Sequence, residues 1–391
     1  MKSCDVVVVG AGFLGVQTAL RLSQNGFSVT LFSSDEIPLS SCFESLGVLW
    51  PGLNDPPTRS HVAHGPEVAT YLNDFCAKGV ESFLSAFPQL EKQNNLWFKA
   101  PCYRVAMQKF EQEELQKAQE LGFDLKSTAT KEIFEEKHSS LIMADFPSFQ
   151  EKVVSALLEN NVTIFHEKVL SIDESTSGCV VQSEHEQTKC EVAVLANGLQ
   201  IKTLLPKYNS ILIPMSDICF EYQCKTYKKF DPITFRAANG HVAVSFFQDE
   251  NKLTTLKISG PRFLLPQAGA GVILDKDDLN PRLLNNIHKY TEQIFTMVSL
   301  VLGYRNPDLF FIDFPLTKKN MFLGLDCYPC DELPLVGEFG KLGRILGCTG
   351  FLATSFSAGS LGAKILTDMI CHQKSDDLHP RLQPRRFIQL R

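Results

Sequence analysis

Residues 5–15 read Asp5-Val6-Val7-Val8-Val9-Gly10-Ala11-Gly12-Phe13-Leu14-Gly15, and this stretch decides the fold. Four valines in a row suit a parallel strand buried on both faces. The GxGxxG that follows gives each glycine a task. Gly10 permits a tight turn, Gly12 lets the backbone approach a pyrophosphate, and Gly15 lets the next helix pack close to the strand. That helix is expected from about Phe13 to Gln24, with Leu14, Ala19 and Leu22 on one buried face and Asn25-Gly26 ending it. Its free N-terminal N–H groups and dipole favour an anion. Ser28–Phe32 then completes a βαβ unit. A glycine turn without a ligand is the plain alternative, and the strand before it and the helix after it weigh against that. The acidic residue that would hold an adenosine ribose is missing from the end of the second strand. Ser33 and Ser34 stand there instead, followed by Asp35 and Glu36, which either reach the ribose or are solvated loop acids.

Further α/β segments lie downstream. Phe149–Asn160 reads as an amphipathic helix, and 162–165 and 169–172 read as strands. The buried run Glu191–Ala196 stops at Asn197-Gly198. The closing piece, 321–370, carries two strands and a helix from about Ser357 to Ile370. Between these, Glu67–Phe87 and Gln108–Leu121 look helical. Residues 206–320 contain strand-like pieces at 211–213, 241–247 and 253–259. The fold class expected is α/β: a Rossmann-like unit from 1–50, 140–205 and 321–391, with an interleaved β-rich α+β domain from 51–139 and 206–320.

The chain has 391 residues, 44% of them apolar, and a net charge of -6. Without a basic run, nucleic acid is not an expected partner. No stretch is long and apolar enough to span a membrane; Asp5, three glycines and Arg21 interrupt the apolar start. Twelve scattered cysteines favour free thiols in a reducing, cytoplasmic compartment. No Cys/His spacing completes a metal site.

After the second strand come Pro38-Leu39-Ser40-Ser41 and Gly47-Val48-Leu49-Trp50-Pro51. Later come Ala196-Asn197-Gly198, then Gly324-Leu325, Asp331, Pro334 and Gly337, then Gly350-Phe351-Leu352-Ala353-Thr354, and finally Pro384-Arg385-Arg386-Phe387. With the N-terminal unit, these segments resemble the D-amino-acid oxidase family of flavoproteins, which includes glycine oxidase and sarcosine oxidase. The resemblance implies FAD as cofactor. It places Ser40 and Ser41 at the phosphates, Gly47 and Val48 beside the flavin ring, Val169 at the adenine, and the 196–198 and 350–354 turns at the nucleotide and flavin. It implies hydride transfer from a carbon bearing a neutral amine to the flavin, with oxygen or another acceptor taking the electrons. Over the β-rich domain the resemblance is thin.

Three departures stand out, one of them Met215-Ser216-Asp217 after Pro214, where the family has a glycine-containing turn. Asp326 replaces the family's carboxylate-binding arginine, so it would repel a carboxylate and attract a cation; a salt-bridged loop acid is the other reading. Ser355 replaces a glycine of the last turn. Tyr222 is a substrate-side candidate or a packed core tyrosine. Arg236 and Arg262 could supply the missing cation or lie at the surface. Cys327 and Cys330 form a CxxC that could act as a redox dithiol or hold a flavin covalently, or be two packed cysteines. His61 and His64 read as loop residues. The expected activity is oxidation of a C–N bond in a small-molecule amine or amino-acid-like substrate. The alternatives are a flavin dithiol–disulfide oxidoreductase and an FAD-binding protein without turnover. The oligomeric state is not legible.

Overall fold

The computed structural model describes residues 2–36, 38–39, 42, 45–88, 96–248, 253–260, 271, 273–274, 279, 281–305, 317–351 and 353–390. Its centre is a six-stranded sheet in the order Thr163–Phe165, Val29–Phe32, Val6–Val9, Val192–Leu195, Ile345–Thr349, Leu335–Glu338. All neighbours are parallel except the last pair. Val6–Val9, Val29–Phe32 and Ile345–Thr349 are buried throughout, as a sheet covered on both faces requires.

The helix Phe13–Gln24 follows the glycine turn as expected. It is buried on more than one face, because helices Ser355–His372 and Pro66–Ala86 also pack there. Two polar side chains enter this layer and donate within it, while Gln17 Oε1 is left without a partner. Gln17 Nε2 donates to Phe13 O and to Ser360 Oγ, and Thr18 Oγ1 donates to Leu14 O. A smaller sheet, Lys2–Ser3, Gln187–Cys190, Gly178–Ser183 and Val169–Ser175, lies beside the first strand.

The second large layer is an eight-stranded sheet: Thr317–Pro329, Leu212–Cys224, Thr254–Ser259, Val242–Gln248, Ile233–Ala237, Cys102–Val105, Ile133–Glu136, Leu125–Ser127. Alternation divides it cleanly. Ile218, Phe220 and Tyr222 turn to one face, where Ile287, Ile294, Phe295 and Val298 of helix Pro281–Val301 cover them. Cys219, Ala243 and Phe247 turn to the other, against Leu46, Val48 and Trp50. The three-stranded sheet Val48–Leu49, Ser140–Met143, Trp97–Ala100 bridges the two layers.

The fold class matches the sequence reading, with corrections inside elements. Helix Pro281–Val301 falls where only strands were expected. The expected strand at 211–213 runs on to Cys224. The helix expected from Phe149 starts at Phe146, where Pro147 lies in the first turn and Asp145 Oδ1 accepts from Ser148 N at 3.1 Å. His61 and His64 lie in helix Pro57–His64 rather than in a loop. Proline at its first position suits the start of a helix, and Gly65 follows its end. Among the described residues no helix is long and apolar enough to cross a membrane.

Candidate functional site

The glycine turn closes as its spacing requires. Gly10 has φ +103°, and a Cβ there would stand 2.7 Å from Ala196 O; at Gly15 a Cβ would stand 1.8 Å from Gly10 O. Strand, turn and neighbouring strand are thus locked together at Ala196, whose N–H donates to Val9 O at 2.8 Å. Gly12 differs: nothing lies within 4 Å of where its Cβ would be. It is the N-cap of a helix with no side-chain cap and no acid in its first turn. The amides of Phe13 and Leu14 follow at once. This is an uncapped, positively polarised helix end beside open space, and it fits a pyrophosphate. Asn197 Oδ1 is buried without a hydrogen-bond partner, an acceptor that a donor group of a cofactor would satisfy. Gly198, with φ +55°, continues that turn.

The remaining described candidates are placed by their own contacts. Ser33 is buried, and its hydroxyl donates to Asp35 O at 2.9 Å. Ser34, Asp35 and Glu36 are exposed. Val169 shares an apolar cluster with Val9 and Phe32. Leu39 N donates to Ala11 O at 2.8 Å, so the chain returns to the glycine turn before running to Gly47 and Val48. Ser40, Ser41, Leu352 and Arg262 lie outside the described residues.

Gly350, Phe351, Ala353 and Thr354 form the turn before helix Ser355–His372, and Phe351 shares a core with Leu14 and Ala11. Asp326 reaches this turn. Its Oδ2 accepts from Ala353 N at 2.8 Å and its Oδ1 accepts from Cys327 N at 2.7 Å. The carboxylate therefore ties the turn to the strand through two backbone amides. Tyr222 is 1% exposed, on the face covered by helix Pro281–Val301, with its hydroxyl 3.2 Å from Thr291 Oγ1. Burial raises its pKa above the ordinary tyrosine value. It packs as a core residue on the strand face it shares with Phe220.

Arg236 is not a surface residue or a free cation. It belongs to a buried cluster with Arg104 and Glu136 beneath Trp50. A cation that sequence reasoning missed is Lys257. It stands opposite Glu221, with Nζ 4.0 Å from Oε2 and both side chains largely covered at 13% and 14% exposure. Both lie on the sheet face that carries Cys219, one pleat further on. The alternating pattern of the two strands was the available signal.

The two thiols of the CxxC sit in different settings. Cys327 is buried and Cys330 exposed. Burial pushes the Cys327 thiol up to about 12 and also raises Cys330, so little thiolate exists at neutral pH. The cysteines that face one another are Cys179 and Cys190, opposed across two antiparallel strands.

A family model described as FAD dependent oxidoreductase (DAO) matches residues 5–369. A 4-oxocyclohex-2-ene-1-carboxylate 5-dehydrogenase of Sinomonas cyclohexanicum is 31% identical over 119 residues, which are 26% of this chain and 20% of that protein. The match thus spans about a fifth of that relative's length. Glycine oxidase from Geobacillus kaustophilus has a similar structure, with TM-score 0.74 and 13% identity over 98% of each chain. L-proline dehydrogenase from P. horikoshii gives 0.72 and 13% over 99% of this chain and 98% of that one. At these identities the likeness is one of fold.

Proposed function

The chain belongs to the FAD dependent oxidoreductase family, and on that premise we propose that it oxidises a C–N bond of an amine or amino-acid-like substrate, with oxygen as electron acceptor. The observation that carries the reading is the glycine turn: an uncapped helix end, open at Gly12, at the C-terminal end of an interior strand of the parallel sheet. Gly10, Gly12, Phe13, Leu14 and Gly15 would hold the pyrophosphate of FAD, with Ser40 and Ser41 adding hydroxyls. Ser33 and Ser34 would lie toward the ribose, Val169 toward the adenine, and 196–198 beside the nucleotide. Gly47, Val48 and the 350–354 turn would border the ring. The cofactor domain would comprise 1–50, 140–205 and 321–391, and the substrate domain 51–139 and 206–320.

The chemistry supplied by bound FAD is hydride acceptance from the carbon bearing the amine. This chain's own residues have to bind, orient and keep water out. The apolar face of Trp50, Cys219, Ala243 and Phe247 would exclude water. Lys257 and Glu221 present opposite charges side by side, which suits a zwitterion's carboxylate and ammonium. The solved relatives support this substrate class, since one is named a glycine oxidase and another an L-proline dehydrogenase. The test is anaerobic titration of purified protein with a panel of amines and amino acids, followed by admission of air. Bleaching of the flavin by a panel member, with oxygen uptake on reoxidation, is the expected result. A flavin that no member reduces favours the reading of an FAD-binding protein without turnover.

A further inference from the structure

Beneath the segment that follows Gly47 and Val48, three adjacent strands contribute Arg236, Arg104 and Glu136. Arg236 and Arg104 are register partners on parallel strands, so two like charges stand side by side in the interior. That arrangement repels unless a carboxylate lies between them. Glu136 supplies it. Arg236 Nη2 donates to Oε1 at 2.7 Å and Oε2 at 2.9 Å, and Arg104 Nε lies 2.8 Å from Oε1. The three side chains are 1%, 4% and 8% exposed. Burial alone would raise the Glu136 carboxyl, but Arg236 and then Arg104 outweigh it and hold it below the ordinary range.

The guanidiniums then turn Nη donors on one short piece of backbone. Arg236 Nη1 donates to Gly52 O at 2.9 Å and also to Leu53 O. Arg104 Nη2 donates to Leu53 O at 2.6 Å, and its Nη1 donates to Asn54 O and Asp55 O, each at 3.3 Å. Arg236 also lies over the Trp50 ring, 4.7 Å from its centroid. Asn54 Nδ2 adds a bond to Gly240 O at 2.7 Å. The fit is close: a Cβ on Gly52 would meet Asn73 Oδ1 at 2.9 Å and Glu136 Oε2 at 3.4 Å. The chain leaves the glycine turn at Leu39 and is gripped again at Gly52–Asp55. Between these points Gly47 O accepts from Met143 N at 2.8 Å and Val48–Leu49 pairs with Leu141 and Ile142, so the cluster grips the segment where this pairing ends.

We propose that Arg104, Glu136 and Arg236 are positioning residues that fix the Gly47–Trp50 wall of the cofactor crevice from the substrate-domain sheet. This rests on the proposed placement of Gly47 and Val48 beside the flavin. Four carbonyls in sequence accept from two planar forks, which sets the height and direction of the segment. An ammonium could keep the charge but not that geometry.

The test is FAD affinity, read by quenching of flavin fluorescence, together with the visible spectrum of bound flavin. Glu136→Gln and Arg236→Lys are compared with Phe295→Leu, which loosens the core on the opposite face of the same sheet. The expected result is that either folded cluster variant binds FAD at least about tenfold more weakly and shifts the flavin spectrum. Phe295→Leu should bind within about twofold of wild type even at an equal loss of Tm. If Glu136→Gln fails to fold, Arg236→Lys decides. Cluster variants that bind FAD as wild type does, with an unchanged spectrum, overturn the proposal while leaving the proposed function standing. A wild-type chain that binds no FAD overturns both.

Discussion

The parallel sheet and the eight-stranded sheet solve opposite problems. Around the first, the strands beside the glycine turn are mainly apolar and the turn itself offers backbone: bare amides at Gly12, Phe13 and Leu14, and carbonyls packed against Gly10 and Gly15. In the second, the interior holds two guanidiniums and a carboxylate, and those side chains hold the backbone in place. Backbone recognition tolerates many sequences so long as the glycines remain. Recognition by buried charge depends on every member of the cluster.

The largest effect is expected in the second region. Glu136→Ala leaves two buried guanidiniums uncompensated and should cost about 3–5 kcal/mol, measured by denaturant unfolding. The same group gives a pH signature. A carboxyl whose folded pKa is depressed contributes stability fully above its unfolded value, ~4.3 for Glu, and loses it as pH falls through the folded value. Wild type should therefore lose stability on acidification below about pH 4.3 more steeply than Glu136→Gln. Equal acid slopes would mean that the cluster is not charged as described.

The glycine turn should break differently. Gly15→Val forces a side chain against Gly10 O, an overpacking cost of about 1–3 kcal/mol, and FAD binding should fall with it, read by flavin content after purification. Retained flavin would show that the turn is not the cofactor cradle. A smaller, selective effect is expected at Lys257. Lys257→Met should raise KM for a carboxylate substrate by roughly tenfold, about 1.4 kcal/mol, with flavin content unchanged. Smallest is Cys330→Ser, within ~0.5 kcal/mol in stability as for other exposed positions, and without effect on flavin reduction. Lost turnover there would revive the dithiol reading.

What could be read from the sequence follows the same divide. Val6–Val9, Gly10-Ala11-Gly12 and the helix to Gln24 declare themselves because local spacing fixes local geometry. The buried cluster does not, because Arg104, Glu136 and Arg236 meet only when three strands far apart in the chain become neighbours. Arg236 alone reads as a surface residue. Asp326 was visible as a departure, yet its role depends on Ala353, brought near by the sheet. Tyr222 was named from its strand, and only the pleat shows which way it faces. Helix Pro281–Val301 was missed among strand-like neighbours.

FAD bound at the glycine turn is tested most directly by the visible absorbance of protein purified with ample flavin, repeated on the supernatant after acid precipitation. Flavin bands in the native protein that move to the supernatant are the expected result, since Cys327 is buried as a protonated thiol. Protein without flavin bands under those conditions would contradict the central claim.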